Sequence, residues 1–468
     1  MIVTDVVLYS IKGIHSIINK TQIQNIMKTM SLKVIAGSLI GASALIMTGC
    51  VRENQMLDIP NNNQSTELIS MKTTTQPVID GVVDPIWENA TKLSTTTQVP
   101  DPGNGMFYGY IGNQYPVSLK SVYDDTYIYF LAEYADATKS VQVTPWYFNP
   151  NTHLWAQEPS AKTFDANGNI TRDGWGEDKL AFLWNIDNST TKFAAQTCYA
   201  SCHMFTPYLD PTTTPATMVS NQSANHYTNG ANEKIDMWWL KIGRDPIHGQ
   251  FSDEYQDWSG GPGITSLVGG KGNGRHQDDQ VVNGAGSAYP FGPTYSANVG
   301  GTSNNTQKLN ITGKTPAVSV SVPKYLIPNR SDCYYILADE VANGVAQQVM
   351  AVDSFGILTL KDGSTIDPNV GNDYQRIGDA VYGGHGTKII PSYVSAPLTN
   401  GRADISCQAV YTGTSWIIEW KRLLKTADTK KQDIDFSSLV DQPFGVAIFN
   451  KSNYQHGIKP NLLLKFQK

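Results

Sequence analysis

The chain has 468 residues, 40% hydrophobic and 16% charged, which is a globular composition long enough for one large domain or two ordinary ones. A net charge of -6 leaves no basic stripe and excludes nucleic acid as a partner. The 40 Gly and 24 Pro point to strands and turns rather than helices.

The first 49 residues read as an N-terminal extension and a signal peptide, not as fold. Lys28 and Lys33 precede an apolar run at 34–47, too short to span a bilayer comfortably but suited to a signal-peptide core. The run ends in Met47-Thr48-Gly49-Cys50, which resembles a bacterial lipobox with Met in place of the usual Leu. Cys50 is therefore expected to carry lipid and to begin the mature chain, with Met27 or Met30 as the start of translation. Val51 is not an acidic retention signal, which favours the outer membrane. A plain secretory signal or a helical anchor is the alternative. Residues 50–73 are polar and read as a tether, and residues 74–468 read as one folded domain.

Within that domain strand signals accumulate. Residues 117–123 alternate, Asp124-Asp125-Thr126 turns, and 127–134 alternates again, which is a hairpin. Further strands are expected at 179–186, 317–322, 334–337, 349–352 and 356–360. A second hairpin runs from 405–411 through Thr412-Gly413-Thr414 to 415–420, and 444–449 and 462–466 close the chain. Residues 420–425 read as a helical turn. The stretches 210–232 and 260–295 read as long loops, which in a compact domain carry function or are insertions. The expected fold is mainly β, an antiparallel β-sandwich with long loops and short helical turns. The 10 Trp and 23 Tyr either fill its core, the commoner use, or line a cofactor pocket.

Export changes how the five cysteines are read, because thiols outside the cytoplasm are normally used. Cys333 and Cys407 lie in strand-like runs and are expected to pair as a disulfide. Cys198 and Cys202 stand in Cys-Tyr-Ala-Ser-Cys-His. Cys-x-x-Cys-His attaches c-type haem: two thiols form thioethers and the adjacent His ligates iron. One extra residue lengthens the loop but lets both sulfurs reach the porphyrin edge. A short-loop disulfide or a metal pair is the alternative.

Four segments then share an order with a known family: 79–90 (Ile-Asp-Gly-Val-Val-Asp-Pro-Ile-Trp-Glu-Asn-Ala), 173–186 (Asp-Gly-Trp-Gly-Glu-Asp-Lys-Leu onward), 234–241 (Lys-Ile-Asp-Met-Trp-Trp-Leu-Lys) and 443–449 (Pro-Phe-Gly-Val-Ala-Ile-Phe). Together they resemble the haem-binding domain family typified by the gamma subunit of ethylbenzene dehydrogenase. The segment 79–90 also resembles family 9 carbohydrate-binding modules. The family resemblance implies a β-sandwich that encloses one haem and transfers electrons, here of the covalent kind, haem c. It carries over to Cys198 and Cys202 as thioether positions and His203 as the proximal iron ligand.

His226 is the first choice for the distal ligand, with Met218, Met204, Lys241 and His456 as alternatives. Lysine serves in haem b relatives. His153, His248, His276 and His385 read as ordinary loop residues. The expected partners are other redox proteins, such as a molybdenum oxidoreductase, and a membrane through the lipid at Cys50. A haem-free sugar-binding sandwich and an enzyme subunit with a catalytic haem are the competing readings. Asp165-Ala-Asn167-Gly-Asn169 resembles the start of a calcium loop without its later ligands. Gly-Lys-Gly-Asn-Gly at 270–274 is no phosphate loop, and no Ser-His-Asp set is evident.

Overall fold

A computed structural model describes residues 65–101, 107–202, 208–210, 217–219, 226–258, 274–280, 282–285, 293–295, 300–328, 330, 334–377 and 386–468. Twelve strands share one sheet. In chain order they are β1 Glu67–Lys72, β2 Leu93–Gln98, β3 Gln114–Tyr123, β4 Tyr127–Ala135, β5 Lys179–Asn185, β6 Ile235–Lys241, β7 Gln250–Gln256, β8 Arg275–Gln277, β9 Ile405–Tyr411, β10 Ser415–Leu423, β11 Gln442–Phe449 and β12 Gly457–Gln467. Ten of these neighbour one another in the order β12-β2-β3-β4-β10-β9-β7-β6-β5-β11. β11 pairs back onto β12, so the expected antiparallel β architecture closes into a barrel-like ring. β1 adds in parallel to β12 and β3, and β8 pairs with β7. Closure pairs the ladder groups that an open sheet would leave at its edges.

Alternation decides what the ring contains. Leu180, Phe182 and Trp184 of β5, Trp238 and Leu240 of β6, Trp416, Ile418 and Trp420 of β10, and Phe444 and Ile448 of β11 all point inward and are buried. Phe130 stacks on Trp420 with ring centroids 5.2 Å apart. Burying each such side chain contributes about 1.5–3 kcal/mol. The interior is thus packed with aromatic rings. A second core, built on Trp146, Phe148, Trp155, Val349 and Leu358, packs separately.

Both expected hairpins form. Asp124 Oδ1 accepts the amides of Thr126 and Tyr127, each at 2.7 Å, and fixes the first turn. Gly413, at φ 99°, makes the second. The helical turn expected at 420–425 does not form. β10 runs on to Leu423, with Trp420 opposite Phe130 and Arg422 opposite Ile128, because both side chains belong to the inward row. The long loop expected at 260–295 contains β8, which pairs with β7 through Arg275, His276 and Gln277. Asp165 is a turn residue: its carboxylate accepts from the Asn167 and Asn169 amides and from Asn169 Nδ2, which closes the turn.

Two of the family-like segments prove to be braces. Asp178 accepts Trp416 Nε1 at 3.0 Å, and the Ser140 and Lys451 amides at 2.9 Å each, tying the start of β5 across the ring. Burial, with Asp136 nearby, still pushes its carboxyl up to about 7. In 79–90, Trp87 is fully buried and donates Nε1 to Glu419 Oε1 at 2.8 Å, while the Gly81 amide donates to Glu419 Oε2 at 2.9 Å. That tryptophan is core, not a platform for a sugar.

Candidate functional site

The outward row of the same strands floors an open cleft. Ala181 and Leu183 of β5, Met237 and Trp239 of β6 and Gln256 of β7 alternate with the inward core residues, so register alone puts them on one surface. Phe449, Tyr454, His456 and Lys459 line the cleft as well, as does the segment carrying Cys198 and Cys202.

A short helix, Phe193–Gln196, runs into a 3-10 turn, Thr197–Ala200. The Ser201 amide donates to the Cys198 carbonyl at 3.1 Å and the Cys202 amide to the same oxygen at 2.8 Å. Residues four apart on a helical turn share a face, and both cysteines, half-buried, line the cleft. The extra residue of Cys-x-x-x-Cys is thus absorbed by a full turn. Cys198 is a free thiol, so no disulfide joins it to Cys202. Burial, with Cys202 beside it, pushes the Cys198 thiol well above its ordinary range. The turn can sit this close because β11 carries Gly445: a Cβ there would overlap the Thr197 side chain.

His226 is paired with Cys202 through a backbone bridge, and its Nε2 lies 4.0 Å from Cys202 Sγ. His456 lines the cleft from the segment that follows Phe449. It stacks on Phe449 with centroids 4.4 Å apart, and its Nδ1–H donates to the Tyr454 carbonyl at 2.6 Å. That bond fixes the tautomer and leaves Nε2 with its lone pair, the arrangement of a metal-ligating imidazole. Burial lowers His456 to about 4, so the ring is neutral at physiological pH.

Polar groups on the cleft surface are only partly satisfied. Ser201 Oγ, Trp239 Nε1 and Gln256 Oε1 are buried and have no hydrogen-bond partner among the described residues. Such groups cost free energy unless a ligand meets them. Arg275, over the Trp239 ring at 4.2 Å, and Lys459 supply positive charge. The cleft thus gathers two thiols, two imidazoles, an arginine and a lysine around apolar side chains. Among the described residues Cys198, Cys202 and His226 do not close into a three-ligand metal cluster.

A family model described as ethylbenzene dehydrogenase matches residues 84–460, which include both cysteines and every residue that lines the cleft. The chain belongs to the ethylbenzene dehydrogenase family. No curated protein matches. Among solved structures, a family 9 carbohydrate-binding module from Caldicellulosiruptor kristjanssonii in complex with glucose is 9% identical, covering 86% of this chain and 95% of its own at a TM-score of 0.23. The same module in complex with cellotriose gives 9%, 86%, 93% and 0.23. Those scores are too low to bear on fold or ligand.

In this ethylbenzene dehydrogenase family member the cleft gathers Cys198, Cys202, His226 and His456 from the sequence-derived candidates. Lys241 does not line it: Nζ pairs with Glu254 Oε1 at 3.0 Å and lies 4.3 Å from the Trp239 ring. His203, Met204, Cys50, Cys333 and the Met218 side chain lie outside the described residues. Cys407 is buried inside the ring on β9. Sequence reading missed Met237, Trp239, Gln256, Arg275, Phe449 and Lys459. The signal for the first two was present, since alternation along 235–241 puts odd positions on one face.

Proposed function

We propose that this chain is an exported, lipid-anchored c-type cytochrome subunit that holds one haem in the cleft and passes electrons between redox proteins. The observation that carries the reading is the placement of Cys198 and Cys202 one helical turn apart in the lining of a cleft that His456 also lines. Bound there, haem supplies a one-electron centre at its iron.

The chain's own residues would hold and tune it. Cys198 and Cys202 attach it as thioethers, and His203, next to Cys202, is the proximal ligand. His456 is the better distal ligand than His226, because its free Nε2 is oriented by the Tyr454 carbonyl whereas His226 is tied to the cysteine turn itself. Arg275 and Lys459, both in the cleft lining, would meet the cofactor's carboxylates. Trp239, Phe449 and Met237 exclude water, and an apolar shell of this kind raises or lowers a potential through the charge it leaves unsolvated. Membership of the ethylbenzene dehydrogenase family supports a place in an oxidoreductase complex, and a molybdenum enzyme is the partner we favour. Cys50 anchors the chain by lipid, at the outer membrane.

The test is a spectrum of the protein exported from a host that matures c-type cytochromes. A Soret band with a sharp α band on reduction, reversed on reoxidation, is expected. A colourless protein that folds normally would overturn the reading.

A further inference from the structure

The inward row of the ring ends in a group of charges with no part in the cleft. Asp236 of β6, Asp253 of β7 and Asp433 are buried, and one oxygen of each lies within 4.8 Å of the others. Arg422 of β10, fully buried, holds one side of this group. Its Nη1 reaches Asp236 Oδ2 at 3.2 Å, its Nη2 reaches Asp433 Oδ2 at 3.4 Å, and its Nε lies 3.7 Å from Asp253 Oδ2. The Ile434 amide adds a bond to Asp236 Oδ2 at 2.8 Å, and Thr426 Oγ1 donates to Asp433 Oδ2.

The other side is different. Asp236 Oδ1, Asp433 Oδ1 and both oxygens of Asp253 are buried without any donor among the described residues other than another carboxyl. The second, independent observation is Asp278, which follows β8. It is 1% exposed, its carboxyl lies against Asp433, and neither of its oxygens has such a donor. Four carboxylates against one guanidinium leave a formal charge of -3 in the interior. Each uncompensated buried charge costs several kcal/mol.

We propose that Asp236, Asp253 and Asp433, with Asp278 beside Asp433, bind one calcium ion. The donor set is all oxygen, with no imidazole or thiolate, which selects hard cations over zinc or copper. Calcium takes about 6–8 oxygens at roughly 2.3–2.6 Å, so opposite ligands stand up to about 5 Å apart, whereas magnesium at about 2.1 Å closes to nearly 4 Å. Six donor-less protein oxygens suit calcium, whereas magnesium keeps several waters. Shared protons are the competing way to relieve the charge, and burial and mutual repulsion push the Asp253 and Asp278 carboxyls up. Protons satisfy oxygens in pairs, while a single calcium ion draws on Asp236, Asp253 and Asp433 at once, with Asp278 beside Asp433.

The ion would fasten the back of the cleft. Asp236 adjoins Met237 in β6, Asp253 lies three residues before Gln256 in β7, and Asp278 lies three after Arg275. The proposal does not depend on haem, and its readouts are independent of haem.

The test uses the full mature chain, stripped with a chelator and desalted. We expect one calcium per chain after re-addition, a thermal midpoint raised by calcium, and terbium emission sensitised by tryptophan, Trp238 being beside Arg422, that calcium displaces. Asp278→Asn should weaken calcium binding at least about tenfold. Should that variant fail to fold, the wild-type metal content and terbium displacement still decide. A wild-type chain that retains no calcium and whose midpoint ignores it would overturn the proposal. So would Asp278→Asn and Asp253→Asn variants that bind calcium as the wild type does.

Discussion

The Cys202 amide donates to the Cys198 carbonyl at 2.8 Å, which sets the two sulfurs on one face of a single turn. If both sulfurs attach the cofactor, each must saturate one vinyl group. Cys198→Ala and Cys202→Ala single variants should therefore keep a covalent haem but show a pyridine haemochrome α band at longer wavelength, because one vinyl stays conjugated. An unshifted band in either variant would exclude that cysteine from attachment.

The two cleft histidines differ in how they are fixed, and the difference is measurable. His456→Ala should convert the oxidised spectrum from low spin to high spin, since the oriented Nε2 is lost. His226→Ala should leave the spin state unchanged. The reverse pattern would make His226 the distal ligand.

His456 also sets a pH dependence in the haem-free chain. Its pKa falls from the ordinary 6.5 to about 4, through burial partly offset by the Tyr454 bond. Between those values the unfolded chain binds a proton that the folded chain does not, so this group's contribution to stability grows as pH rises and is lost as pH falls. The wild-type thermal midpoint should drop more steeply than that of His456→Phe between pH 6.5 and 4. Parallel curves would contradict the assignment.

Gly445 admits the cysteine turn to the sheet. In Gly445→Ala the new methyl overlaps Thr197, whose Oγ1 also receives the Asn461 amide at 2.9 Å. Overpacking of this kind costs about 1–3 kcal/mol, so urea unfolding should shift by that amount and haem incorporation should fall. A neutral variant would show that the turn can retreat freely.

What the sequence made legible was local. The hairpins were readable because Asp124 and Gly413 carry their turn chemistry beside alternating strands. The cysteine pair was readable because its spacing is itself the signal. Ring closure was not, since it depends on β11 meeting β5, with Val446 opposite Phe182, across most of the chain. The cleft lining shared that fate: Trp239 meets Ala181, and Ala181 meets Ala447, only once β5, β6 and β11 lie side by side. The four aspartates come from separate elements, and nothing local marks them as a group. The reading of 420–425 as helical failed because Arg422, charged and yet fully buried, breaks the apolar pattern that marks a strand's inward row.

The central claim is covalent haem at Cys198 and Cys202. The decisive measurement is a haem-stained denaturing gel of the wild type beside a Cys198→Ala, Cys202→Ala double variant, with a pyridine haemochrome spectrum of each. Haem that stays with the unfolded wild-type polypeptide and is absent from the double variant is the expected result. Haem that extracts into acidic acetone from the wild type, or no haem at all in a folded chain, would contradict it.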